Sequence, residues 1–177
     1  MRIIFISGDG HGAGKTYFAN KIASDKSQIF SIANMIRKEL AAEYPNYDWY
    51  NKDPRYKIYT NVKETNLSIH QMLINKGNEK KKKNNIYWAK QLVEIILYNK
   101  EFLDLKIAII DDLRYLDEFE FIKRYLQNDQ ITHIHIINPH AKPEPNYENE
   151  KLKEISDFQI ISKRILNVRN LKLEKKE

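Results

Sequence analysis

The residues best suited to chemistry lie in one short segment, G-D-G-H-G-A-G-K-T, at positions 8–16. Glycines allow successive backbone N–H groups to curl around phosphate oxygens, and the N-terminus of a following helix adds a favourable dipole. In such a loop Lys15 would reach the β- and γ-phosphates of a nucleotide, and the Thr16 hydroxyl would bind Mg²⁺. The segment therefore predicts a site for ATP and Mg²⁺. The expected nucleotide contacts are Gly10, His11, Gly12, Ala13, Gly14, Lys15, Thr16 and Tyr17.

The spacing of this loop departs from the usual G-x-x-x-x-G-K-[ST] pattern. Either Asp9 occupies the first glycine position, or the loop runs from Gly8 with one additional residue. We favour the second alignment, because a carboxylate that faces bound phosphates would repel them.

A second acidic element follows the apolar run I-A-I-I at positions 107–110. Asp111 and Asp112 come directly after this run, which predicts a strand that delivers carboxylates to its C-terminal end. Ligands of open α/β sheets bind beyond the C-terminal ends of the strands, so a carboxylate linked to Mg²⁺ belongs there. The alternative is an ordinary strand end that caps the next turn.

Alternating strands and helices would position these groups. Apolar runs predict strands at residues 2–7, 27–31, 105–110, 131–137 and 158–161. Helices are expected at residues 16–24, 32–43, 68–76, 86–100, 117–126 and 147–155. We expect an irregular segment at 44–60, a solvated lysine loop at 80–83 and a frayed tail at 174–177. The alternation favours an α/β fold of three layers with a parallel five-stranded sheet, in a single domain over residues 1–177.

Composition limits the functional classes. The chain has 177 residues, no cysteine and a net charge of +6. Disulfides and thiolate metal sites are therefore excluded, and the apolar run at the N-terminus is too short for a signal peptide. No apolar stretch is long enough for a membrane helix, so we expect a soluble cytoplasmic protein. The basic charge suits small phosphorylated substrates, and we expect no stable complex with nucleic acid.

At this point the chain resembles the phage-type deoxynucleoside monophosphate kinases, which have the nucleoside monophosphate kinase fold of P-loop NTPases. The phosphate loop is the first of four matching blocks. S-I-H-Q-M-L-I-N-K-G-N-E at 68–79 is similar to the family's S-x-R-x-L-L-Q-x-x-G-T-E, with a tryptophan nearby at position 88. I-D-D-L-R-Y-L-D-E at 110–118 is similar to I-S-D-V-R-F-P-N-E, and D-F-Q-I-I at 157–161 resembles a late D-x-x-I-x-N strand.

The resemblance implies ATP-dependent phosphorylation of deoxynucleoside monophosphates to diphosphates. It makes Asp112 the carboxylate near Mg²⁺ and Arg114 the arginine on the phosphate side of the site. Residues 33–100 would form a helical acceptor-binding part, and residues 138–150 a lid-like loop. Relatives of this type are often dimeric, so a homodimer is a further expectation. The expected catalytic residues are Lys15, Arg114 and Asp112; the metal ligands are Thr16, Asp111 and Asp112; the acceptor contacts are Arg37, Arg55, Trp88, Arg114 and Glu118.

Some residues depart from the family pattern and leave the acceptor open. The family's serine is Asp111 here, its middle arginine is His70 and its glutamine is Ile74. Animal-type phosphomevalonate kinases share the fold and a similar D-x-R pattern, so a kinase of another phosphorylated metabolite is one alternative. A P-loop protein that binds nucleotide without catalysis is another. Two histidines that alternate on one strand, His133 and His135, suggest a metal site superficially, but a structural role is favoured because no third ligand lies nearby in sequence.

Overall fold

The computed structural model describes residues 1–10, 12–141, 148–162 and 172–175, the last of these as backbone only. The strands are β1 (Arg2–Gly8), β2 (Ser27–Phe30), β3 (Asn61–Val62), β4 (Leu67–Ser68), β5 (Ile107–Ile110), β6 (Gln130–Ile137), β7 (Phe158–Ile161) and β8 (Lys172–Lys175). The helices are α1 (Lys15–Ile22), α2 (Ile32–Glu43), α3 (Pro54–Tyr59), α4 (Ile69–Lys83), α5 (Tyr87–Phe102), α6 (Leu116–Tyr125) and α7 (Asn149–Glu154).

The main sheet has the strand order β2-β5-β1-β6-β7-β8. The first five strands are parallel, which confirms the predicted α/β fold with a parallel five-stranded sheet. An additional strand, β8, pairs antiparallel with β7; the sequence predicted only a frayed tail there. This strand order, with a glycine-rich turn after the central strand, is a P-loop NTPase-like fold.

Strand β1 is central because apolar side chains cover both of its faces. Phe5 packs in the cluster that α5 and α6 form on one face, and its ring lies 4.9 Å from that of Phe119. Ile6 packs with Ala19 of α1 on the opposite face. Since Phe5 is paired in register with Ile110, the loop after β1 and the acidic pair after β5 emerge side by side.

A smaller apolar cluster lies within the helical segment between β2 and β5. Its fully buried members include Leu40 of α2, Ile69 of α4, and Trp49, which lies between α2 and α3. Helix α4 begins with a capping box, in which the Ser68 hydroxyl accepts from the Gln71 N–H and the Gln71 side chain accepts from the Ser68 N–H. Among the described residues, no helix combines the length and apolar character that crossing a bilayer requires.

The prediction of a lysine loop at 80–83 was wrong, because α4 continues to Lys83. Two of its lysines have partners that hold the last turn: Lys81 lies 3.0 Å from Glu118 of α6, and Lys80 lies 3.7 Å from Glu39 of α2. Basic residues in a last helical turn also interact favourably with the helix dipole.

The segment expected to be irregular, residues 44–60, contains the short helix α3. Asp53 caps this helix by accepting a hydrogen bond from the Arg55 N–H at 2.8 Å, and Pro54 occupies its first turn. The hairpin of β3 and β4, which follows α3, was not predicted either.

Candidate functional site

The turn between β1 and α1 contains three glycines with positive φ values. Gly10, Gly12 and Gly14 have φ values of 148°, 81° and 100°, which side chains rarely allow. Gly14 is the N-cap of α1, so the helix begins at Lys15. The Lys15 ammonium donates a hydrogen bond of 3.0 Å to the carbonyl of Gly10, across the loop. His11, one of the predicted nucleotide contacts, lies outside the described residues.

Asp9 does not face the interior of this loop. One carboxylate oxygen lies 3.0 Å from Nε2 of His135, and the other accepts a hydrogen bond of 2.8 Å from the Asn138 N–H. The reason for preferring the longer loop alignment therefore does not hold. Asp9 can occupy the first glycine position because its charge is directed sideways, towards the end of β6.

Asp111 lies beside the loop at the end of β5. Burial and the neighbouring Asp112 raise the pKa of Asp111 to about 6, whereas the Thr16 hydroxyl and Lys15 act in the opposite direction. Its Oδ1 atom is buried without a hydrogen-bond partner among the residues that the structure describes. A buried carboxylate oxygen near a lysine, a threonine hydroxyl and a phosphate loop has the chemistry that Mg²⁺ prefers.

Asp112 is engaged elsewhere. Its carboxylate accepts hydrogen bonds from the Ser31 hydroxyl at 2.8 Å, the Ile32 N–H at 2.8 Å and the Ala33 N–H at 2.7 Å. The last two are the first N–H groups of α2, and Ser31, the N-cap residue, does not cap the helix itself. Asp112 therefore caps α2 from a different strand, where the helix dipole also favours a negative charge.

Arg37 brings a positive charge to the same region from α2. Its guanidinium donates a hydrogen bond of 2.6 Å to the Asn34 side chain. Burial lowers the pKa of Arg37; Asp112 and Asp111 oppose this effect, whereas Arg114 reinforces it. Arg37 and Arg114 therefore lie close enough to repel each other, next to the acidic pair.

Lys57 of α3 is a further cation in this group that the sequence did not single out. Burial lowers the pKa of Lys57, and the nearby positive charges of Arg37 and Lys52 lower it further. Mutually repelling cations that are partly withdrawn from water form a place where an anion binds favourably. Predicted Arg55, by contrast, is exposed at the start of α3.

Two of the predicted acceptor contacts are buried. Trp88 is only 1% exposed, and its indole N–H donates to the Gly77 carbonyl at 3.1 Å, so it packs in the core. Glu118 is 2% exposed, and its carboxylate lies 3.0 Å from the Lys81 ammonium. Burial raises the pKa of Glu118 to about 7, against the opposing effect of Lys81. Tyr17, a predicted nucleotide contact, is 41% exposed on α1.

The structure thus brings the predicted residues into two neighbouring groups. Lys15, Thr16 and Asp111 form the first; Arg37 and Arg114 lie with Asp112 in the second. The described residues of the lid-like loop, 138–141 and 148–150, flank residues 142–147, which lie outside the description. Within the described ranges, no cluster of three or more His, Asp or Glu side chains is arranged to hold a metal ion.

Sequence reasoning missed residues whose role depends on contacts distant in sequence. Asn138 is buried, and its side chain donates to the Gly12 carbonyl at 3.4 Å while its N–H binds Asp9. Lys57 carried no signal besides its place in an aromatic segment. Only the position of Asn138 just after a strand end could have drawn attention to it.

The comparisons with known proteins are sparse. No family model matches the chain, and the search of curated proteins gives no match. Among solved structures, the tunicamycin resistance protein of Deinococcus radiodurans matches with a TM-score of 0.38 and 12% sequence identity, over 78% of this chain. The chain covers 65% of that protein, less than two thirds of its length. At this level of similarity the match carries no argument about activity.

Proposed function

We propose that this chain is a phosphotransferase that uses ATP and Mg²⁺ to phosphorylate a small molecule which already carries a phosphate. A deoxynucleoside monophosphate is the first choice of acceptor. One observation carries the proposal: the acidic pair at the end of β5 has the phosphate loop beside Asp111 and the cations Arg37 and Arg114 nearby. Two anion-binding places therefore adjoin each other at one edge of the sheet.

The chemistry that this arrangement supports is a direct transfer. An oxygen of the acceptor phosphate forms a bond to the γ-phosphorus of ATP, and the bond from that phosphorus to the β–γ bridging oxygen breaks, so ADP carries the electron pair away. A phosphate acceptor is already anionic near neutral pH, so no general base is required. Lys15 would offset charge on the β- and γ-phosphates, and Arg37 and Arg114 would align the acceptor.

The residues present fit a Mg²⁺ ion. Asp111 contributes a buried carboxylate oxygen with no partner among the described residues, and the Thr16 hydroxyl lies near the same carboxylate. When bound there with nucleotide, the ion would neutralise phosphate charge. Asp112 is less suited to this role than the family resemblance implies, because three donors already occupy its oxygens.

A base-bearing acceptor is favoured by an aromatic side chain close to the cations. Tyr50 is 51% exposed and lies near enough to Arg37 to affect its pKa. An exposed ring next to a phosphate-binding arginine can stack on a nucleobase. This supports a nucleotide over a small aliphatic phosphate such as phosphomevalonate.

The test is a coupled assay of ADP release with ATP and Mg²⁺. Each of the four deoxynucleoside monophosphates, the ribonucleoside monophosphates and phosphomevalonate is offered in turn. We expect stimulation by at least one deoxynucleoside monophosphate. If only phosphomevalonate stimulates ADP release, the acceptor is phosphomevalonate and not a deoxynucleoside monophosphate. ATP binding without stimulation by any acceptor would refute a kinase function.

A further inference from the structure

A continuous chain of polar side chains, unused by the proposed reaction, runs beneath the phosphate loop. Ser7 Oγ lies 2.8 Å from Nε2 of His133 and 2.8 Å from Nδ1 of His135, and Nε2 of His135 lies 3.0 Å from Asp9. Ser7 and His135 are 0% exposed and His133 is 1% exposed. This series of hydrogen bonds therefore leads from the interior of the sheet to Asp9, the first residue of the loop.

The direction of the hydrogen bonds follows from the chemistry of the groups. An ionised carboxylate only accepts, so His135 donates from Nε2 to Asp9. With a neutral ring, Nδ1 of His135 must then accept from the Ser7 hydroxyl, and the Ser7 oxygen accepts from Nε2 of His133. With these assignments each of the three hydrogen bonds has one donor and one acceptor, and the last acceptor is the Asp9 carboxylate.

Asp9 and Asn138 tie the loop to the end of β6. The Asp9 N–H donates to the Ile136 carbonyl at 3.1 Å, and its carboxylate accepts from the Asn138 N–H. The Asn138 side chain reaches the Gly12 carbonyl on the far side of the loop. Between these ties the backbone is rich in glycine, which loses more conformational freedom on ordering than any other residue.

The negative charge of Asp9 is offset locally. Burial alone would raise the pKa of Asp9, but the hydrogen bonds from His135 and Asn138 outweigh it, so the pKa lies below its usual value. The positive charge of Lys153 in α7 also lowers it. The ionised side chain is therefore stabilised in its sideways orientation.

We propose that Asp9 is a positioning residue for the nucleotide. His135 and Asn138 hold the Asp9 carboxylate, and this anchor keeps the loop in its phosphate-binding shape. This inference rests on the proposed function, since it assumes that the loop binds nucleotide. The anchor orders the loop before the ligand arrives, so binding does not have to order it.

The inference is tested by ADP affinity, measured calorimetrically on Asp9→Gly, Asp9→Asn and wild type. Glycine restores the usual loop residue and removes a negative charge, so charge alone predicts tighter binding. The anchor predicts the opposite: binding about tenfold weaker for Asp9→Gly, the worth of a charge-assisted hydrogen bond. Asp9→Asn, which retains an oxygen for the Asn138 N–H, should lose less. The matched control is Asp25→Asn, which removes an exposed carboxylate before β2.

Unchanged or tighter binding of ADP by Asp9→Gly would overturn the inference. Long-range ¹H–¹⁵N spectra of the wild type give a second test that depends neither on nucleotide nor on the folding of a variant. We expect Nε2 of His135 to carry a proton, which it donates to Asp9; an Nε2 atom without a proton would contradict the proposed contact. If the wild type binds no ADP, the proposed function fails, whereas wild-type binding that ignores Asp9→Gly defeats only the anchor.

Discussion

Replacing Asp112 with asparagine is expected to loosen the start of α2. The carboxylate accepts three hydrogen bonds of 2.7–2.8 Å, and two of them come from the first N–H groups of that helix. An amide offers one acceptor atom in place of two, and it presents its NH₂ group to a donor. Since a helix cap contributes up to about 2 kcal/mol, and hydrogen bonds to charged groups about as much, we expect a loss of about 2 kcal/mol in the free energy of unfolding.

This loss should be visible in both stability and kinetics. For a chain of this size, about 2 kcal/mol lowers Tm by about 4–8 °C. Arg37 lies one turn further along α2, so the acceptor KM should rise about tenfold, equivalent to about 1.4 kcal/mol, with little change in ADP affinity. Differential scanning calorimetry and the coupled assay with varied acceptor measure these two effects.

The matched control is the neighbouring substitution, Asp111→Asn. Burial and Asp112 raise the pKa of Asp111 to about 6, so its ionised form is unfavourable in the folded protein without metal. At about pH 8 and without Mg²⁺, Asp111→Asn should therefore be neutral or stabilising, yet it should abolish Mg²⁺-dependent turnover. If the two variants exchanged these effects, Asp112 would be the metal ligand and the reasoning from the hydrogen bonds would be refuted.

Three further predictions concern single charges. Lys15→Ala should lower kcat about 10²–10³-fold in the coupled assay, as expected for loss of a preorganised cation; near-normal turnover, or an equal loss in the exposed control Lys26→Ala, would contradict its role. Lys57→Met should raise the acceptor KM about tenfold by removing one cation beside Arg37, whereas Lys63→Met should not; equal KM values in both variants would exclude Lys57 from the acceptor site. Burial raises the pKa of Glu118 from 4.5 to about 7, so the folded state retains its proton more tightly and wild-type stability should fall as pH rises through this window. Between about pH 4.5 and pH 8, the free energy of unfolding measured with denaturant should fall by up to about 3 kcal/mol more in the wild type than in Glu118→Gln. Parallel pH profiles for the wild type and the variant would disprove the effect.

Features with a local physical cause were predictable from the sequence. The apolar runs at β1 and β5 identify buried parallel strands because no polar residue is needed on either face. The glycine-rich turn is similarly local, since its conformation depends on glycines that tolerate positive φ values. Helix α4 was predicted too short because its partners Glu39 and Glu118 belong to other helices, and a run of lysines alone resembles a solvated loop.

The sequence alone does not decide which of the two carboxylates after β5 faces the glycine-rich loop. Successive residues at a strand end point to opposite sides, so Asp111 and Asp112 must meet different surroundings. Which of them faces the loop depends on the position of α2, whose N–H groups capture Asp112. The burial of Trp88 has a related cause, because the orientation of a helix decides whether its aromatic residue packs in the core or contacts a ligand.

The antiparallel pairing of β8 with β7 changes what the sheet presents to other molecules. Without β8, the outer N–H and C=O groups of β7 would be open to a strand from another chain, which is how sheets join edge to edge. The strand that takes this outermost place has the sequence K-L-E-K, in which three of four residues are charged. Charged residues on an outermost strand discourage such pairing. Strand β8 thereby covers the edge of the sheet that β7 would otherwise expose.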